Sequence, residues 1–232
     1  MLDQTVDSSA LAAYPPRLDA TALPSETETG VADDVGTRGI VMTYRVGYFV
    51  GSLSSTSINR ILATALIGSA PEDLEFFEIP IRDLPLYSQD YDDDYPAVAV
   101  ELKEAIDSAD AVLFVTPEYN RSIPGGLKNA IDWASRPWGQ NSFDHIPAAV
   151  IGASVGAIGT AVAQQSLRGV LSFCNARQMT SPEAYIQFVP DDYADDGTVT
   201  NQGTATFLRD YMSEFRDHIE RVLTVLPRDT ES

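Results

Sequence analysis

From Tyr44 onward the apolar residues alternate between two periods, one short and continuous, the other helical. Tyr44–Val50 is a short apolar run that reads as a strand, and Ser57–Gly68 repeats Ile58, Ile61, Leu62, Ala65 and Leu66 at helical spacing. Glu75–Ile79 is a second strand candidate. Pro96–Ser108 follows as a helix with Val98, Leu102, Ala105 and Ile106 on one face. Ala111–Val115 contains no polar residue, as expected of a strand covered on both faces. Pro124–Ser135 begins a helix with proline near its first turn. Ala148–Ile151 is a fourth buried strand, followed by a helix of small residues that runs to about Cys174. A fifth short strand is expected near Met179–Ala184. Thr204–Val225 closes the chain with Leu208, Tyr211, Met212, Phe215, Ile219 and Val222 on one stripe. Five strand–helix alternations predict an α/β, doubly wound parallel sheet. Ligands of that architecture sit beyond the carboxyl ends of the strands, at the switch point, so the loops after strands one, three and four hold the interest.

Residues 1–43 follow another pattern. They are rich in Ser, Thr, Ala, Pro and acid, with Tyr14 as their only aromatic and no sustained period. The expected organisation is an extension over 1–43, flexible or acting as an intersubunit arm, and a folded domain over 44–232. A hydrophobic content of 44% supports a real core and excludes a wholly disordered chain. Asp and Glu number 34 against 15 Lys and Arg, a formal charge of −19 that repels phosphate backbones and anionic lipid. Neither nucleic acid nor a membrane is therefore an expected partner. Cys174 is the single cysteine and His145 and His218 the only histidines, so no intrachain disulfide and no His/Cys metal centre is expected. The first residues lack the cationic flank and apolar stretch of a signal peptide, which points to the cytoplasm.

The three loops are the most unusual stretches of the chain. After strand one comes Gly51-Ser52-Leu53-Ser54-Ser55-Thr56-Ser57-Ile58-Asn59, five hydroxyl residues and an amide leading into a helix. Unpaired N–H groups and the positive end of the helix dipole suit a phosphate there, although one or two such residues suffice for an ordinary cap. The loop is neither a Walker loop nor a GxGxxG turn. After strand three, prolines at Pro117 and Pro124 stiffen a segment that holds Glu118, Tyr119, Asn120, Arg121 and Ser122. Such a backbone suits a flat heteroaromatic ring. After strand four, Gly152-Ala153-Ser154-Val155-Gly156 admits a ligand edge close to the backbone, and it also matches the G-x-S-x-G nucleophile elbow. Asp191 or Asp195 and then His218 follow in the Ser…Asp…His order of a hydrolase. Against that reading, an elbow needs its histidine at a loop tip, and His218 lies on the last helix between Phe215 and Ile219.

Taken together, the loops resemble the NADPH-dependent FMN reductase family, flavodoxin-like flavoproteins that include bacterial quinone, chromate and azo reductases. The resemblance rests on Pro117-Glu118-Tyr119-Asn120-x-Ser122-x-Pro124-Gly125-Gly126-Leu127-Lys128-Asn129-Ala130-Ile131-Asp132-Trp133, on Gly51-Ser52-Leu53 with Ser57-Ile58-Asn59, and on Leu84-Pro85-Leu86-Tyr87. It covers roughly Tyr44 to Val225. It implies a flavodoxin-like five-stranded parallel sheet in the order 2-1-3-4-5. It also implies FMN bound by Ser52, Ser54, Ser57, Ile58 and Asn59 at the phosphate, and by Pro117, Glu118, Tyr119, Asn120, Ser122, Ser154 and Gly156 around the ring. NADPH or NADH is then the co-substrate, and Arg121 is expected to draw it in. Many relatives carry arginine at the position of Ser54, so phosphate binding is expected to weaken here unless Arg60 folds back. A homodimer or homotetramer is implied, with the Lys128–Trp133 helix near the contact.

On this reading a hydride passes from nicotinamide to flavin N5 and on to a quinone, azo, metal-ion or flavin acceptor by a ping-pong course, with no side-chain acid or base required. A flavodoxin-type electron carrier is the alternative. Glu118 is expected to act structurally or as a hydrogen-bonding group. Asp92-Asp93-Asp94 reads as a solvated loop. The stretch Asp191–Gly197 fails as a calcium loop, because Ala194 and Gly203 stand where ligands are needed. No metal is expected, and Cys174 belongs to the core.

Overall fold

Every residue of β3 (Ala111–Val115) is buried, which puts this strand in the middle of the sheet. The computed structural model describes residues 42–194 and 197–228. The extension expected over 1–43 lies, but for its last two residues, outside the described chain, as does Asp195. Around β3 stand β1 (Tyr44–Val50), β2 (Leu74–Glu78) and β4 (Pro147–Ser154), all parallel. The sheet order is β2-β1-β3-β4-β5, the doubly wound arrangement expected.

The strands alternate two cores. Val46, Val50, Leu113, Val115, Ile151 and Ala153 face α1 (Ile58–Gly68) and α5 (Gln202–Val225). Phe49, Val112, Phe114, Ala148 and Val150 face α2 (Ala97–Asp107), α3 (Gly125–Ala134) and α4 (Ala161–Phe173). Apolar side chains on both faces are why β3 and β4 read as continuous runs rather than alternations. The helix over Thr204–Val225 starts two residues earlier, because the Asn201 side chain accepts from the N–H groups of Gly203 and Thr204.

The fifth lane differs from expectation. Instead of one strand over Met179–Ala184, β5 (Arg177–Gln178) pairs with Pro147 and Ala148, and β6 (Ala184–Gln187) pairs with Ile151–Ser154. Pro182 lacks the N–H that a continuous ladder needs, so the chain leaves the sheet between them. Pairing with β6 also carries β4 on to Ser154, three residues past the expected end.

Gly152 sits inside this extended strand because nothing larger fits. A Cβ there would lie 2.0 Å from the Thr116 carbonyl oxygen and 2.4 Å from Thr160 Oγ1. Gly152→Ala is expected to lower the unfolding free energy by about 1–3 kcal/mol or more through overpacking against backbone. Gly68→Ala, where no atom lies within 4 Å, serves as control and changes stability by less than about 1 kcal/mol. Urea unfolding of the two variants measures both.

Candidate functional site

Because β1, β3 and β4 are neighbours, the loops at their carboxyl ends form one rim. The first of them is organised by its own hydroxyls. Ser52 Oγ accepts from Ser54 N at 3.4 Å, Ser54 Oγ accepts from Thr56 N at 3.2 Å, and Ser57 caps α1 by accepting from Arg60 N at 3.3 Å. The N–H groups of Ser55, Ser57, Ile58 and Asn59 have no acceptor among the described residues. Four open donors at the start of a helix fit a phosphate.

Asn59 departs from the expected pattern, since its side chain turns inward. Its Nδ2 donates to the Ala153 carbonyl at 2.9 Å and its Oδ1 accepts from the Ala153 N–H at 2.9 Å, all of it buried. The side chain locks α1 to β4 and leaves only its backbone N–H at the loop. Arg60 does not fold back either. Its guanidinium is forked on Glu78 at 2.8 Å through both terminal nitrogens, which holds the Glu78 carboxyl below its ordinary pKa. The arginine that does reach this loop is Arg82, whose Nη2 donates to the Leu53 carbonyl. Its signal in the sequence was its place just past the second strand, on the same rim.

In the loop after β3, Tyr119 and Ser122 exchange both backbone hydrogen bonds at 3.0 Å around Asn120 and Arg121. Those two residues have φ of 52° and 64°, a two-residue turn with both central residues left-handed. The N–H groups of Glu118, Asn120 and Arg121 have no acceptor among the described residues. Glu118 braces this loop, in keeping with the hydrogen-bonding role expected. Its Oε2 accepts from Val162 N and Ala163 N, both at 3.1 Å, and its Oε1 from Arg121 Nη1 at 3.0 Å. A carboxylate at the start of α4 meets the positive end of that helix, where Thr160 supplies no side-chain cap.

Ser154 ends β4 rather than opening the loop, and its Oγ accepts from Gly156 N at 3.1 Å. Beyond it, Val155 to Ile158 are exposed, and the N–H groups of Val155, Ala157 and Ile158 are open among the described residues. The serine-hydrolase alternative fails on distance. His218 Nε2 meets the Arg177 carbonyl at 2.7 Å, and Arg177 pairs with Pro147 at the amino end of β4. Ser154 is the other end of that strand, about 23 Å away at ~3.3 Å per residue. Burial also pushes the His218 pKa down.

The remaining motif residues are tethers. Asn129 Nδ2 and Trp133 Nε1 both donate to the Pro85 carbonyl, at 2.8 and 2.7 Å, and Asn129 Oδ1 accepts from Tyr87 N at 2.9 Å. They hold the Leu84–Tyr87 segment against α3. Lys128 pairs with Asp132 at 2.6 Å, and Arg136 lies over the Trp138 ring at 5.4 Å. Asp92 accepts from the Tyr87 hydroxyl at 2.9 Å. Cys174 is buried in the core, where burial raises its thiol pKa.

A doubly wound sheet with phosphate-type donors after β1 and open amides after β3 and β4 defines a flavodoxin-like nucleotide-cofactor protein. Residues 44–191 match the family model for NADPH-dependent FMN reductase. A 2-hydroxy-1,4-benzoquinone reductase from a Burkholderia species is 48% identical over 174 residues, 75% of this chain and 95% of its own. A quinone reductase from Escherichia coli K12 is 41% identical over 179 residues, 75% and 94% of the two chains. The solved structure of FerB, a flavoenzyme NAD(P)H:(acceptor) oxidoreductase from Paracoccus denitrificans, superposes with a TM-score of 0.75 at 48% identity, covering 77% of this chain and 98% of that one. The chain belongs to the NADPH-dependent FMN reductase family. It is an oxidoreductase of the FMN- and NAD(P)H-dependent kind, not an electron carrier alone.

Asn59→Leu removes both partners of a buried N–H and a buried carbonyl at Ala153 while keeping similar bulk. It is expected to lower the unfolding free energy by about 2–4 kcal/mol. Chemical denaturation of the flavin-free protein measures this without reference to activity.

Proposed function

We propose that this chain is a quinone reductase that binds FMN across the rim and takes its electrons from NADPH or NADH. FMN bound there would supply the redox chemistry, two-electron transfer from nicotinamide to a small-molecule acceptor in a ping-pong course. The observation that carries the reading is the convergence of open backbone N–H groups from three loops, in a family of FMN reductases. Relatives named as quinone reductases support the acceptor class.

The residues divide by what their atoms offer. Ser52, Ser54, Ser57, Ile58 and Asn59 bind the phosphate, the first three ordering the turn with their hydroxyls and the last two through backbone N–H groups. Pro117, Glu118, Tyr119, Asn120 and Ser122 line one edge of the ring, and Ser154 and Gly156 approach the other. Amides there stabilise negative charge that develops on the ring, while no side chain is needed as acid or base. Arg121 draws in the dinucleotide. Its left-handed backbone costs about 1–2 kcal/mol and holds it at the tip of the turn beside Asn120. Its ion pair with Glu118 engages one nitrogen and leaves the side chain open to solvent.

Residues 44–232 form the catalytic unit in this reading, with 1–43 as an extension to it, and the protein works in the cytoplasm. Among the described residues no helix is long and apolar enough to cross a membrane. A second copy of the chain covers the α3–α4 face, where Phe173 is 75% exposed and Trp138 77% exposed beside half-buried Val170. Sedimentation equilibrium is expected to give at least twice the chain mass, and Phe173→Asp to reduce it; an unchanged monomer mass contradicts the assembly.

The purified protein is expected to be yellow, and to lose that colour when mixed anaerobically with NADPH or NADH. Added benzoquinone restores it. Arg121→Ala raises the nicotinamide KM and leaves FMN content alone. A flavin that stays oxidised under excess nicotinamide contradicts the reading.

A further inference from the structure

The loop from Gly51 to Asn59 offers hydroxyls and open N–H groups but contains no cation. Three nearby cations are already engaged with carboxylates: Arg60 with Glu78 at 2.8 Å, Arg121 with Glu118 at 3.0 Å and Lys128 with Asp132 at 2.6 Å. Arg82 is different. It forms no ion pair among the described residues, and the hydrogen bond it makes is from Nη2 to the carbonyl of Leu53 in this same loop. A guanidinium carries five N–H donors, so most of its capacity remains open.

The segment that carries Arg82 is held on both sides. Before it, Ile79 and Ile81 are buried, and Ile79 N donates to the Tyr48 carbonyl at 2.9 Å. After it, the Pro85 carbonyl is gripped by Asn129 and Trp133, and Tyr87 N by Asn129. The backbone at Arg82 is therefore fixed, and its exposed side chain is placed at the loop by the bond to Leu53. In a chain of net charge −19, the surrounding potential opposes an arriving phosphate dianion, and a preplaced, unneutralised cation at the loop offsets it locally.

We propose that Arg82 is the phosphate-recognition cation of this site. It reaches from the loop after β2 to the phosphate of FMN at Ser52–Asn59, and so sets the preference for FMN over riboflavin, which lacks that phosphate. The proposal rests on the assignment of this loop to the phosphate. The guanidinium keeps Leu53 as one partner and gives its remaining N–H groups to phosphate oxygens, the charge-assisted geometry that arginine favours.

Titration of flavin-free protein with FMN and with riboflavin, followed by flavin fluorescence, tests this without turnover. Arg82→Gln is expected to weaken FMN about tenfold or more, the size of a lost charge-assisted contact, and to leave riboflavin within about twofold. Arg82→Lys keeps part of the FMN preference, and adding Ser54→Arg to Arg82→Gln restores it. The gap between wild type and Arg82→Gln narrows as salt is raised. Equal weakening of both flavins, or no weakening of either, overturns the role of Arg82. Ser57→Ala separates the two levels. Selective loss of FMN with Ser57→Ala but not with Arg82→Gln overturns the cation alone. No selective loss with either overturns the phosphate loop itself.

Discussion

The paired hydrogen bonds between the Asn59 amide and the backbone of Ala153 set the terms for the whole rim. A site made of open backbone N–H groups cannot hold itself together with those same groups. Its loops must be fixed by side chains that bond to other backbone atoms and leave the donors free. Asn59 does this between α1 and β4, and Glu118 does it between the β3 loop and the first turn of α4. Asn129 and Trp133 repeat the arrangement for the segment after β2. In each case a buried or half-buried polar side chain adds to a loop's few internal hydrogen bonds, so the loop is stiff while its remaining N–H groups stay open. That combination is preorganisation for an anionic, hydrogen-bonding ligand.

This division of labour changes the meaning of the sequence motif. The run from Pro117 to Trp133 mixes residues with open backbone N–H groups, such as Asn120 and Arg121, with residues that brace or tether, and their chemical types do not separate them. Glu118 looks catalytic and is a brace; Asn129 looks like a binding amide and is a tether. Two carboxylates near the rim are paired in place, Glu118 with Arg121 and Asp132 with Lys128. The excess acid of the chain thus stays compatible with a site for anions.

Much of the fold was legible because its signals are local. The wholly apolar Ala111–Val115, the helical spacing of α1 and the long stripe of α5 each follow from burial on one or two faces. The bounds and the split of the fifth lane were not legible. Whether Ala184–Gln187 pairs with β4 depends on a partner thirty-three residues earlier, and Pro182 splits the lane at a point that apolar content does not reveal. The same non-local pairing extended β4 through Gly152, which had read as a loop glycine and instead permits close approach to Thr116. Within the site, the serines after β1 and the stiff segment between Pro117 and Pro124 were readable from residue type. The inward amide of Asn59 and the reach of Arg82 were not, because each is defined by an atom distant in sequence.

Residue-resolved amide hydrogen exchange with and without FMN tests whether backbone N–H groups from three loops are the ligand's donors. The amides of Ser55, Ser57, Ile58, Asn59, Asn120, Arg121 and Val155 are expected to exchange fast in the flavin-free protein and to slow markedly when FMN is added. Protection that arises elsewhere, with these amides still exchanging fast under saturating FMN, would contradict it.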